Sequence, residues 1–281
     1  MTCRSIRAVR TAPMSLIGEL ETRDVLGQPI DPGYDPFLVL GHHGPQRFAP
    51  GNRGMPFSDH PHRGFETVTF ILEGSLVHTD SKGNRCKIDR GGVQWMTAGS
   101  GVVHNEQVPP EFFRDGGLLE VIQIWVNLPA RLKMTSPGYT GVQAEGIPEL
   151  PVGIGTSLHL VSGAHRDLVG PIRSLTDVFM GWVDLRADSK AELPAPRGRT
   201  VLLYVVRGEV EVGGRQAKGG DLVRFTDDGH KVAIAAISEA VVLFGHAEPT
   251  GEPIVARGPF VMNSQAEIAQ AYADFRAGLF A

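Results

Sequence analysis

Short apolar segments, each cut off by glycine, proline or aspartate, recur along almost the whole chain. Residues 36–40, 65–72, 118–128, 201–206 and 241–244 are the clearest, and several alternate apolar and polar side chains with period two. That alternation is the mark of a half-buried strand, and the interruptions supply the turns between strands. With 35 glycines and 20 prolines spread without a short repeat, the chain is predicted to be all-β rather than helical. One stretch reads as helix. Ser264 stands three residues before Glu267 as a capping box, and the run to Ala277 stops at Gly278.

A length of 281 residues predicts about two domains. Sliding the sequence by 134 positions places Arg197-Gly198 on Arg63-Gly64 and Gly208 on Gly74 without a gap, each pair enclosing an apolar strand. Glycine pairs then open the next segment in both halves, Gly91-Gly92 and Gly219-Gly220. Together with the β pattern, this supports two copies of one barrel. The expected division is an N-terminal metal-binding domain at 1–135, a linker rich in proline and glycine at 136–155, and a C-terminal domain without a metal at 156–281.

Charge excludes one class of partner. The net charge is −4; residues 1–140 hold 14 basic and 14 acidic side chains, and residues 141–281 hold 13 and 17. Neither half has the basic excess that drives phosphate binding, so direct nucleic-acid binding is not expected. No apolar run approaches the roughly 20 residues of a membrane-spanning helix. Cys3 and Cys86 read as plain thiols of a reducing compartment, and Arg4 to Val9 as a first strand rather than a leader. The chain is expected to be cytoplasmic and monomeric.

The chemistry is concentrated in His60-Pro61-His62 and His104-Asn105-Glu106. In a strand, residues i and i+2 point to one face, so each triplet presents two ligating side chains together. Two such pairs facing each other supply three imidazoles and a carboxylate, a set suited to Fe(II), Mn, Ni, Cu or Zn and not to Mg or Ca. Four protein ligands on an octahedral ion leave positions for water, substrate or O₂, which is a catalytic rather than a structural arrangement. Glu66 is in phase with His60 and His62 as well. Alternation also sends one of His42 and His43 inward. Gln123, Trp125 and Asn127 share a strand face that lines either a pocket or solvent, and Trp95 and Met96 read as packing. In the second half, His60 and His62 fall on Pro194 and Pro196, which cannot ligate, and His230 reads as a loop residue.

These residues resemble a known family. Gly54, His60, His62, Glu66 and Gly74 follow the first cupin motif, with one extra residue before the last glycine. Gly92, Gly99, Gly101 and His104 follow the second, with glycine in place of its usual proline. The run from His60 to Thr69, the run from Gln94 to Gly99 continuing to His104 and Glu106, and Gly258-Pro259-Phe260-Val261-Met262-Asn263 before the terminal helix are similar to pirin signatures. The resemblance implies a bicupin of two tandem β-sandwich (jelly-roll) barrels with a short C-terminal helix. It implies one metal in the N-terminal barrel, Fe(II) first among the candidates, held by His60, His62, His104 and Glu106; ordinary cupins instead use the position of Glu66. It also implies a flavonol 2,3-dioxygenase of the quercetinase kind, acting on a small aromatic substrate and O₂ with Glu106 as general base. Other pirin-like proteins are described as iron-dependent regulators that bind a protein partner, which is the alternative reading.

Overall fold

The computed structural model describes residues 2–281. Strands dominate, as the alternation predicts, and they fall into two compact units of the same plan. One unit comprises residues 14–145 and 250–281, the other residues 1–13 and 146–249.

In the first unit a seven-stranded antiparallel sheet runs in the order Gly138–Val142, Val93–Thr97, Phe65–Glu73, Gly117–Asn127, Phe37–Phe48, Leu20–Leu26, Met14–Ile17. A four-stranded sheet, His60–His62, Val102–Gln107, Ser75–Asp80, Arg85–Asp89, completes the sandwich. The second unit repeats this order strand for strand. Its large sheet runs Ile6–Thr11, Asp221–Phe225, Thr200–Arg207, Ala240–Ala247, Phe179–Leu185, Thr156–Ser162, Glu149–Gly153, and its small sheet Lys190–Pro194, Lys231–Ala236, Glu209–Val212, Arg215–Lys218. The 134-residue repeat is therefore structural. Gly74 and Gly208, matched by that offset, both turn with φ of 81°, a conformation that costs glycine nothing and a side chain about 1 kcal/mol or more.

Two features of the sequence reading need correction. The units are not the contiguous blocks 1–135 and 156–281. Ile6–Thr11 pairs with Asp221–Phe225, and the terminal segment packs Phe260, Met262, Ile268, Ala271 and Phe280 into a cluster that includes Val103. Each terminus belongs to the other half because strand pairing and apolar burial are long-range. Nor is 136–155 a plain linker: Gly138–Val142 pairs with Val93–Thr97, and Glu149–Gly153 with Thr156–Ser162. A short helix, Pro110–Asp115, also went unread. It is a single turn or so, started by a proline and stopped at Gly116, too short to show a period. The terminal helix is Gln265–Arg276, capped by Ser264 and Glu267 as expected.

The interiors differ. The second unit is filled by an apolar core that includes Leu158, Leu160, Val183, Leu203, Val205, Val223, Ile234, Val242 and Phe244. In the first unit, an apolar cluster of Leu20, Ile71, Leu76, Ile88, Leu119 and Val121 occupies part of the interior, and polar side chains occupy the rest.

Candidate metal centre

The strand Val102–Gln107 pairs antiparallel with His60–His62, in a register that sets His104 opposite His60 and Val102 opposite His62. Alternation then turns all three imidazoles to one face. Their ring centroids lie 4.4–5.0 Å apart, and one candidate ligand atom from each lies within 4.8 Å of the other two. Among the described residues this is the one such group of histidine, cysteine and carboxylate side chains found.

Hydrogen bonds set the tautomers. His60 Nδ1 donates to the Ser58 carbonyl at 2.7 Å, and His62 Nδ1 donates to the Pro259 carbonyl at 3.1 Å. A carbonyl only accepts, so both rings carry their proton on Nδ1 and offer the Nε2 lone pair. His104 is buried with neither ring nitrogen hydrogen-bonded. Burial, with His60 nearby, pushes the His62 imidazolium down to about 3, and burial beside the other imidazoles puts His104 well below the usual histidine range. Neutral imidazoles with free lone pairs are the form a transition metal needs. The orphaned His104 nitrogens and the paired Nε2 atoms fit such an ion.

Glu106 is buried on the same strand face as His104. Thr69 Oγ1 (3.0 Å) and Gln94 Nε2 donate to its Oε1, and Gln123 Nε2 donates to its Oε2. Both amides are oriented by groups beyond them. The Tyr139 hydroxyl donates to Gln94 Oε1 at 3.1 Å, and Trp125 Nε1, which can only donate, reaches Gln123 Oε1 at 3.3 Å. Their N–H groups are thereby turned on Glu106, an environment built for a carboxylate. Glu106 lies outside the three-histidine group as the side chains stand.

A cavity of about 400 Å³ opens beside the histidines, lined by His60, His62, Glu106, Thr69, Gln123 and Trp125 together with Met55, Phe57, Leu76 and Pro259. Gln123 and Trp125 thus face a pocket. Asn127, on the same strand face, accepts instead from Lys133 Nζ, whose other partners are the Gly64 and Val261 carbonyls. Of the two adjacent histidines, His43 lines the cavity and His42 bonds the buried Glu120 at 3.1 Å. Trp95 and Met96 are buried packing, and His230 is exposed. Cys3 and Cys86 are both free.

The phase that put Glu66 with the histidines is broken at Gly64, where φ is 89° and a Cβ would meet the Val261 carbonyl at 2.0 Å. Phe65, Thr67 and Thr69 turn inward beyond that break, and Glu66 points to the other face of the sheet. There its Oε1 accepts from Thr97 Oγ1 at 2.6 Å, while Oε2 is buried without a partner. Burial raises the Glu66 carboxyl to about 7. Its folded pKa lies above the unfolded one, so its contribution to stability is full below pH 4.5 and is lost as pH rises through about 7. The stability of wild type relative to Glu66→Gln should fall by roughly 2–3 kcal/mol between pH 5 and pH 8. It is read as the difference between two unfolding titrations, so that the buried histidines, which gain stability over the same range, cancel. An equal pH slope in the variant would refute this assignment.

His78 was missed. It sits opposite Glu106 in the strand pair, bonds Asp80 at 3.0 Å, stacks on Tyr139 at 4.1 Å, and lies 5.4 Å from the His104 ring. Its only sequence signal is its phase with Leu76. The strands of the second unit equivalent to His60–His62 and Val102–Gln107 are Lys190–Pro194 and Lys231–Ala236, and neither contains a histidine, cysteine or aspartate.

Known proteins match along the whole length. Residues 18–126 match the Pirin family, and residues 182–281 match the Pirin C-terminal cupin domain. A pirin-like protein of Caulobacter vibrioides is 38% identical over 277 residues, covering 98% of both chains. A crystal structure of quercetin 2,3-dioxygenase from Acinetobacter baumannii superposes with a TM-score of 0.94 at 33% identity, covering 99% of both chains. The bacterial pirin YhhW of Escherichia coli, solved in complex with nickel(II), superposes at 0.68 with 25% identity, covering 86% of this chain and 99% of that one. Two cupin sandwiches of one strand order, joined to these matches, place the chain in the pirin family.

Proposed function

We propose that this chain is a metal-dependent dioxygenase that opens a flavonol such as quercetin with O₂. The observation that carries the reading is the cavity of about 400 Å³ directly beside the histidine cluster and Glu106, within the usual size range for a small-molecule site. The kinship with a quercetin 2,3-dioxygenase supports the substrate class. A module that only docks on a protein partner would not require that space.

His60, His62 and His104 would hold one divalent transition ion, with Glu106 as the fourth ligand or as the base beside it. Fe(II) is the first candidate, and the nickel(II) complex of a relative supports a site tolerant of several ions. Such an ion supplies Lewis acidity toward the 3-hydroxyl and carbonyl of the flavonol. Glu106 would accept the hydroxyl proton, a task that requires a carboxylate within hydrogen-bond reach. Gln94, Gln123 and Thr69 hold that carboxylate in place. Trp125, packed against Phe65 at 4.3 Å and edge-on to His62, gives the substrate rings a rigid apolar wall. Both atoms of O₂ end in the opened product, and one ring carbon leaves as carbon monoxide.

The test is oxygen uptake and carbon monoxide release with quercetin, by protein stripped and reloaded anaerobically with Fe(II), Mn, Ni or Cu. Stoichiometric carbon monoxide that disappears with His60→Ala is the expected result. A fully loaded protein with no turnover would overturn the reaction.

A further inference from the structure

The inner face of the large sheet carries a polar row across four strands. Gln94 pairs with Thr69, Thr69 with Gln123, and Gln123 with Gly41. The first three point their polar groups at Glu106 or at one another. The fourth position has no side chain. His43, two residues further along the same strand face, leans back over it, and a Cβ on Gly41 would stand 3.3 Å from His43 Nε2. The imidazole thus fills the row, about one strand spacing of 4.8 Å beyond Gln123.

His43 is buried, and its ring lines the cavity, edge-on to Phe57 at 5.6 Å. Its Nδ1 lies 2.9 Å from Thr22 Oγ1, which is also 3.3 Å from the Leu20 carbonyl. The hydroxyl has one proton. Both bonds form together only if that proton goes to Leu20 and His43 Nδ1–H donates to Thr22. Nε2 is then a bare acceptor, and among the described residues no protein group donates to it. Burial pushes the ring down to about 4, so it stays neutral at physiological pH. Glu106 already accepts from Thr69, Gln94 and Gln123, and His43 Nε2 stands as a fixed, unengaged acceptor in the cavity wall on the strand beyond Gln123.

We infer that His43 Nε2 accepts a hydrogen bond from a hydroxyl of the bound small molecule. The cavity therefore selects ligands with a donor remote from the group received at the histidine cluster. This rests on the small-molecule reading above and deepens it, by making His43 a specificity residue for polyhydroxylated over bare ring systems.

The experiment compares two probes on Ni(II)-loaded, oxygen-free protein: quercetin, and 3-hydroxyflavone, which keeps the 3-hydroxyl and carbonyl and lacks the remote hydroxyls. Affinity is read from the shift in flavonol absorption. Wild type should prefer quercetin by about tenfold, the worth of one hydrogen bond of about 1.4 kcal/mol. His43→Phe should reduce that ratio to within about twofold of unity, and His43→Gln should restore part of it. Should His43→Phe fail to fold, Thr22→Val leaves the imidazole in place, frees its tautomer and should lower the ratio. A wild-type ratio near one, binding of neither probe, or a ratio unmoved by the variants would overturn the inference. Because binding is measured without O₂, a protein that discriminates yet does not turn over refutes the reaction and leaves the role of His43 standing.

Discussion

Replacing His104 by leucine should abolish metal binding and leave the metal-free protein at least as stable as wild type. The two parts follow from one observation: the imidazole is buried and neither nitrogen has a protein partner. Without an ion, an unsatisfied buried polar group costs about 1–3 kcal/mol, and leucine of similar size removes it. An ordinary core histidine would behave in the opposite way, since its loss would break hydrogen bonds. With an ion, the same nitrogen becomes a ligand. Loss of one of three imidazoles should weaken affinity by more than the 10–100-fold typical of an outer partner, and turnover should fall with it. Thermal unfolding with chelator and with excess Ni(II) separates the two states. Wild type should gain in Tm with Ni(II) in proportion to the logarithm of its concentration over Kd, and the variant should gain little. An equal gain in the variant would exclude His104 as a ligand.

The parts of this site that the sequence reveals are those encoded within a few residues. Period-two alternation is local, so His60, His62 and His104 could be placed on common faces before any fold was known. Repeat glycines such as Gly74 and Gly208 are legible for the same reason: a left-handed turn demands them wherever the chain reverses. Glu66 could not be separated from the histidines by phase alone, because phase holds only along an unbroken strand, and the turn at Gly64, where a side chain would meet the distant Val261 carbonyl, is not visible locally. His78 and His43 acquire their places from register with Glu106 and Thr22, and the hydrogen bond from His62 to Pro259 spans 197 residues. The terminal helix was visible from its cap. Its attachment to the unit that carries the histidine cluster was not, because the pair that ties it there, Arg63 and Asp274, is 211 residues apart in sequence.

Glu106→Gln should lower quercetin turnover by about 10²–10⁴-fold, the usual range for loss of a general base, while three histidines still retain the ion. The surroundings make this substitution sharper than most amide-for-acid exchanges. Gln94 and Gln123 are held with their N–H groups toward position 106 by Tyr139 and Trp125, and Thr69 donates there as well. A carboxylate accepts all three donors; a glutamine amide has one oxygen and brings two further N–H groups against them. One donor must go unpaired or turn away, so the loss should appear in kcat more than in KM for a substrate bound mainly by the apolar walls. Glu106→Ala removes the crowding with the charge, and it separates the two effects. Equal kcat in the glutamine and alanine variants, each with metal content near one ion per chain, assigns the loss to the missing base. Metal lost from both variants assigns Glu106 as a ligand. Full turnover in the alanine variant would count decisively against either role.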